Sequence, residues 1–489
     1  MALKTVLVKL KSAIFPKPSS KTTRSSPPAI NSAAVAASST VVGVLSFEVA
    51  RLMTKLLHLS HSLSDSNVVS IRDQSISLEG VRKIVSGDET FLMSLACAEL
   101  AESLGHAAMA VSRLSRRCVT ASLCSFEKLF YEFADMGRDP HGWAMSCKDM
   151  EANNKKLERY VNVTTALYRE LEELTMLENA FKKYSKQLIL VADKENDNNS
   201  NKDLQKLMDL QQKIQWQRQQ VKYLKDRSLW NKSFDAVVVI LVRSVFTSLA
   251  RLKSAFSAVA IGFVGPTSVP RSLSSSSSSS TLIHPTPNDA VPAPEKGGNP
   301  KTASLFFEAI SKLLKPPETT LGGSALALHY ANLIVVMEKM IKQPQLVGLD
   351  ARDDLYGMLP ESVRTSLRSR LRGVGFAATD AELAAEWKSA AGRILGWLLP
   401  MAQNMIRWQS ERSFEQQNLV VEKTTNSNHQ IQIQKNQQVN VMLLQTLFFA
   451  DRAKTEAAIT ELLVGLNYIW RFEREMTAKA LFNLQSPTK

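Results

Sequence analysis

From Leu45 onward the apolar residues return at steps of three and four. Leu45, Val49, Leu52, Leu56, Leu59 and Leu63 share one helical face, and Leu100, Leu104, Ala107, Val111 and Leu114 repeat the pattern. No proline falls between Ala29 and Asp139, and Gly87 followed by Asp88 reads as one helix ending and the next being capped. Residues 41–140 are therefore expected to form a compact helical bundle ending near Gly137.

Neither glycine nor proline occurs between Trp143 and Ile261, which leaves long helices as the expectation. Leu157, Tyr160, Thr164, Leu167, Leu171 and Leu174 keep coiled-coil spacing, the polar run Asp193 to Asp203 interrupts it, and Leu207, Ile214 and Val221 then lie seven apart. Residues 141–262 thus read as a long antiparallel helical hairpin.

The stretch 263–318 is a linker. Nine of the chain's 18 prolines lie between Gly265 and Pro317, with an unbroken serine run from Ser274 to Ser280. Only Ser304 to Leu314 within it has a helical pattern, and a short docking or regulatory motif is one use for such an island.

A second helical unit is expected over 319–412. Leu326, Tyr330, Leu333, Met337 and Met340 make one face, while Leu328, Ala331 and Val335 make the other side apolar too, so this helix should be buried on most sides. Pro360 to Arg372 and Thr379 to Arg412 supply further helices, the latter kinked or split at Pro400. A Gln/Asn-rich linker, 413–440, precedes a last helix within 441–485, with Ile459, Leu462, Leu466, Ile469, Phe472 and Met476 in register. The fold class is all-α: two helical bundle units, a long hairpin and disordered linkers.

Charge adds a tail to this layout. Lys and Arg outnumber Asp and Glu by 60 to 46, and residues 1–40 carry Lys4, Lys9, Lys11, Lys17, Lys21 and Arg24 with no acidic residue before Glu48. A transit-peptide-like start, a basic amphipathic helix resting on an anionic membrane and a solvated tail all fit that segment. No run approaches the roughly 18 to 20 apolar residues of a membrane span; Val237 to Val242 is stopped by Arg243. Cys97, Cys118, Cys124 and Cys147 lack the spacing of a disulfide framework or of a metal site with His106 or His141, and are read as reduced thiols.

Catalytic signatures are missing: there is no HExxH, GxSxG or GxxxxGK[ST], and Gly373 and Gly375 follow a helix rather than a strand. No catalytic residue, cofactor site or metal site is therefore assigned, and neither a small-molecule substrate nor nucleic acid is expected as partner. His58 and His61 are neighbours on a helix surface, where ordinary exposed histidines outweigh a ligand pair. His329 and Asn332 sit on an otherwise apolar helix and call for satisfied hydrogen bonds. Arg364, Arg368 and Arg372 recur every fourth residue beside Val363, Leu367 and Leu371. They are candidate contacts for phosphate or an acidic partner, or else a solvated face paired with Asp353, Asp354 and Glu361.

Two blocks also carry a resemblance. VVGVLSFEVARLMTKLLHLSHSLSD, with GVRKIVSGDETFLMSLACAEL and VSRLSRRC after it, resembles the N-terminal domain of the plant phytosulfokine-simulator family, domain of unknown function 3475. TLGGSALALHYANLIVVMEKMI, followed by DDLYGMLPESVRTSLRSRLR, is similar to that family's domain of unknown function 668. The resemblance implies a growth-promoting plant protein linked to peptide-hormone signalling, without known enzymatic activity; together with the missing catalytic motifs and the long hairpin it leads to the expectation of a scaffold that acts through protein partners, the alternative being an anionic-membrane adaptor that uses the basic N-terminus and the Arg364 to Arg372 stripe. It also implies an intracellular place, in the nucleus or at the plasma-membrane periphery, and no secretion. Where family members begin Met-Gly, this chain has Ala2, so no myristoyl anchor is expected.

Overall fold

The computed structural model describes residues 41–191, 200–257, 304–372, 380–421 and 441–485. The basic tail 1–40, the serine run and most of the two expected linkers lie outside them. Residues 42–489 form one unit.

The first helix, α1 (Ser46–Ser62), buries Val49, Leu52, Leu56 and Leu59, the face its spacing marked out. A short α2 (Asp65–Ser70) and two wide turns, Ile71–Ser75 and Val81–Val85, lead to α3 (Glu89–Ser115). Asp88 caps α3 by accepting from Thr90 N at 2.9 Å, a bond that satisfies one of the first-turn amides. After α4 (Ala121–Cys124), α5 (Phe126–Met136) ends where Gly137 turns left-handed at φ 71°.

Two long helices follow, α6 (Cys147–Val191) and α7 (Ser200–Arg227), packed antiparallel. Thr164, Leu167, Leu207, Ile214 and Val221 are buried along the pair, Leu157 is buried in the core at its base, and Gln217 crosses the seam to donate to Glu170 Oε2 at 2.5 Å. Across the pair, Leu229 N donates to Thr164 Oγ1 and Arg218 pairs with Glu178 at 2.8 Å, which fixes the register.

The expected hairpin is too long at its C-terminal end. Residues Phe234–Ala255 form a separate helix, α8, that returns into the first bundle against α1, α3 and α5. Val237, Val238, Leu241, Val242, Val245, Phe246 and Leu249 are all 2% exposed or less. A two-helix seam buries one stripe only, so a helix buried over most of its circumference has to lie inside a bundle. Phe246 is its centre, with the rings of Phe133 and Trp143 at 4.9 and 5.0 Å.

The island in the Ser/Pro-rich stretch is a helix, α9 (Leu305–Leu314), docked on α3 and α5. Beyond it, Leu321 N and Gly322 N donate to Ala450 O and Phe448 O at 2.9 Å, and Arg452 N donates to Thr319 O. This short antiparallel pairing needs glycine at 322, because a Cβ there would sit 2.4 Å from Phe448 O.

Next, α10 (Ala327–Lys342) buries Tyr330, Ala331, Leu333, Ile334 and Met337 against α13 (Ala381–Val421) and α14 (Arg452–Gln485). It is not buried on most sides: Leu328 is 37% exposed and Val335 half-buried. Tyr330 Oη donates to Glu456 Oε1 at 2.8 Å, and Arg452 Nε donates to the same oxygen at 2.7 Å. The helices α11 (Leu349–Met358) and α12 (Glu361–Leu371) complete the layer.

Pro400 does not split its helix. It lies inside the unbroken α13, on an exposed position between buried Leu398 and Met401, and α13 continues past the expected boundary at Arg412 to Val421. Tertiary packing on both flanks overrides the local cost of a missing amide donor.

The two bundles share one continuous core. Gly80 meets α13 so closely that a Cβ would come within 2.6 Å of Trp397 O, and Asp451 N donates to Ile84 O at 2.6 Å. Glu99 on α3 accepts from Leu443 N at 2.8 Å, tying the 443–445 turn to the first bundle.

Candidate interaction surfaces

The arginine row is largely engaged within the molecule. Arg364 donates to Gly357 O at 2.7 Å and Arg368 Nε donates to Tyr356 Oη at 3.0 Å, with both guanidinium groups over the Tyr356 ring at 5.5 and 6.0 Å. Both also lie 3.8 Å from Glu361 carboxylate oxygens, so the pairing expected with Glu361 is present. Arg372, at the end of α12, is exposed, and Arg370 pairs with Glu461 on α14 at 2.5 Å. The geometry makes the row a clamp between α11, α12 and α14 more than an open anion site.

His329 Nε2 donates to Met358 O at 2.9 Å, and His329 is exposed, as is Asn332. The hydrogen bond of His329 is the one expected, but the burial that an otherwise apolar helix implied is not found at either residue. His58 and His61 are exposed on α1, and partial desolvation, followed by the like charge of His61, holds His58 below its ordinary value. Among the described residues no group of three or more His, Cys, Asp or Glu side chains is arranged to hold a metal. The four cysteines are free thiols, and burial pushes Cys97 and Cys118 up to about 12, which leaves them unreactive.

A second surface is the arm made by α6 and α7. Phe47 stacks edge-on to Tyr168 and Asn154 donates to Ser60 Oγ, so α1 covers α6 between residues 154 and 168. Farther along, α6 pairs with α7. On the arm Trp216, Tyr223 and Met208 are 59%, 52% and 50% exposed. Large aromatics left in water on a helical pair are the residue types enriched at protein interfaces.

A third surface is already covered. The helix α9 seats Phe306 and Ile310, 3% and 1% exposed, while the Phe307 ring lies 5.5 Å from Phe130 and against Gly105, where a Cβ would stand 3.2 Å away. Its first turn is held by Asp135, which accepts from Ser304 Oγ at 2.6 Å and from Phe306 N at 3.1 Å. Lys253 donates to Phe133 O at 3.1 Å and also to Ala134 O, with Nζ 5.4 Å from the Phe306 ring. Burial lowers its pKa, partly offset by the Asp135 charge. Sequence reading proposed the island but not its receptor, because Gly105, Asp135 and Lys253 belong to three separate helices.

Comparison with known proteins agrees with the motif blocks. The family profile described as "Domain of unknown function (DUF3475)" matches residues 44–100, and "Protein of unknown function (DUF668)" matches residues 320–407. Protein PSK SIMULATOR 1 of Arabidopsis thaliana is 25% identical over 451 residues, 92% of this chain and 58% of the relative. Protein PSK SIMULATOR 3 and Protein PSK SIMULATOR 2 of the same plant are 25% identical over 89% of this chain, covering 57% and 60% of their own lengths. The chain thus spans somewhat under two thirds of the relatives it matches. No solved structure matches it significantly. The resemblance to the phytosulfokine-simulator proteins therefore extends through nearly the whole chain.

Proposed function

We propose that this chain is a non-enzymatic scaffold that promotes growth through protein partners, within the phytosulfokine signalling to which its relatives' names point. The observation that carries the reading is the arm: a paired helical projection, anchored at its base and showing Trp216, Tyr223 and Met208 to solvent. Helices of 45 and 28 residues span about 67 and 42 Å at 1.5 Å per residue, which gives a partner a long surface without disturbing the core. The nucleus is the compartment this reading adopts from the resemblance.

Proximity labelling in growing plant cells, with the intact chain and a Trp216→Ala/Tyr223→Ala variant, tests the proposal. Surface substitutions are preferable to deleting the arm, because Leu157 and Leu229 at its base belong to the core. The variant should fold normally, lose a defined set of labelled proteins and lose growth promotion. Unchanged labelling together with unchanged growth would refute the reading.

A further inference from the structure

We propose that α9 is a releasable latch over an aromatic groove, and that phosphorylation of Ser304 is what releases it. Ten residues are too few for a helix to persist alone in water, so α9 is helical because it is docked. Its attachment is compact: Phe306 and Ile310 are buried, Phe307 packs on Phe130 and Tyr131, and Asp135 holds the N-terminus. Undocking α9 therefore unfolds it and frees Ser304, which is 3% exposed in the docked state.

Once free, Ser304 sits in the sequence Lys301-Thr302-Ala303-Ser304-Leu305, a basic residue three positions before an apolar-flanked hydroxyl. A protein kinase would transfer the terminal phosphoryl group of a nucleoside triphosphate to Oγ. The Oγ–P bond forms, the β–γ anhydride bond breaks, and the nucleoside diphosphate and the hydroxyl proton leave.

A phosphate at a helix N-terminus is often favourable, so the sign of the effect has to come from this site. Here the position is taken. Asp135 already accepts from Phe306 N, and Ser304 Oγ is its second donor. Phosphorylation removes that donor and sets a dianion beside a carboxylate where the serine has no open solvent. Repulsion between charges about 4 Å apart in partly buried surroundings exceeds a helix-end attraction several-fold. Lys253, the cation facing the same spot, is occupied by the Phe133 and Ala134 carbonyls. Phosphorylation thus holds α9 off and uncovers Phe130, Phe133, Tyr131 and Gly105.

The test uses the full chain with phosphoserine installed at position 304, followed by hydrogen exchange. Amides 306–314 should exchange at least about tenfold faster than in the unmodified chain, while those of α10 stay protected. Adding Asp135→Asn should restore most of the protection, since it removes the repelling charge. Protection of 306–314 within about twofold of the unmodified chain overturns the proposal, as does loss of protection throughout α10, which would mean general unfolding. A second measurement covers the modification: with nucleoside triphosphate and plant-cell extract, Phe306→Ala/Ile310→Ala should acquire phosphate at Ser304 faster than the native chain. No phosphate at Ser304 in either overturns it as well.

Discussion

Glu99 shows what a single residue contributes beyond its place in a pattern. It lies between Ala98 and Leu100 on α3, half-buried beneath the 443–445 turn, and desolvation pushes its carboxyl up to about 8 despite the hydrogen bond from Leu443 N. The neighbouring Glu102 adds to the rise and Arg412 opposes it. Between the unfolded value of about 4.5 and about 8, the native carboxyl keeps its proton while the unfolded one loses it. The native state then binds more protons, so stability should fall as pH rises through that window, by at most about 1.4 kcal/mol per pH unit, and level off above it. Glu99→Gln keeps an acceptor for Leu443 N without the ionisation. Urea denaturation from pH 5 to 8 should therefore show a flatter profile for the variant, and parallel profiles would disprove the assignment. Nothing near Glu99 in sequence announces this role. Its partner lies 344 residues away, and local periodicity reads the position as an ordinary solvated face.

At the scale of elements, the arm is the part most legible in the sequence. Leu207, Ile214 and Val221, spaced at seven, are the apolar residues that α7 buries, and Leu167 is buried on α6. A seam between two helices has one stripe, and one stripe is what a periodic pattern encodes. That reading does not reach α8, whose buried residues cover most of its circumference and whose neighbours come from five other helices, α1, α3, α4, α5 and α6. Likewise, the arginine row of α12 was visible in spacing, but its engagement by Tyr356, Gly357 and Glu361 follows from the turn between α11 and α12. The arm should also behave as its own unit of stability. Beyond residue 168 its packing is between α6 and α7, so it can open without the bundles. Ile214→Ala is expected to cost about 2 kcal/mol, raising amide exchange in α7 roughly thirtyfold. Exchange in α3 should stay as it is; acceleration there as well would show that arm and core unfold together.

For the whole molecule, the two family blocks are not the two bodies they suggest. The block 44–100 ends inside α3, and the block 320–407 ends inside α13 and lacks α14, whose Glu456 accepts from buried Tyr330. What joins them is apolar surface, the close approach of Gly80 to Trp397, and a few hydrogen bonds: Leu443 N to Glu99, Asp451 N to Ile84 O, and Ser304 to Asp135. A single cut in the serine run 274–280 leaves every one of these contacts intact, since none depends on chain continuity there. A protease site inserted in that run should therefore yield two fragments that co-elute without denaturant and melt in one transition, with α9 still docked. Apolar burial on this scale offsets the entropy of holding two chains together. Fragments that separate on gel filtration, or melt in two steps, would show that the shared core is a loose contact between independent domains. In that case the latch at Ser304 and the half-buried Glu99 would report on domain association, and their effects on stability would vanish in the cut protein.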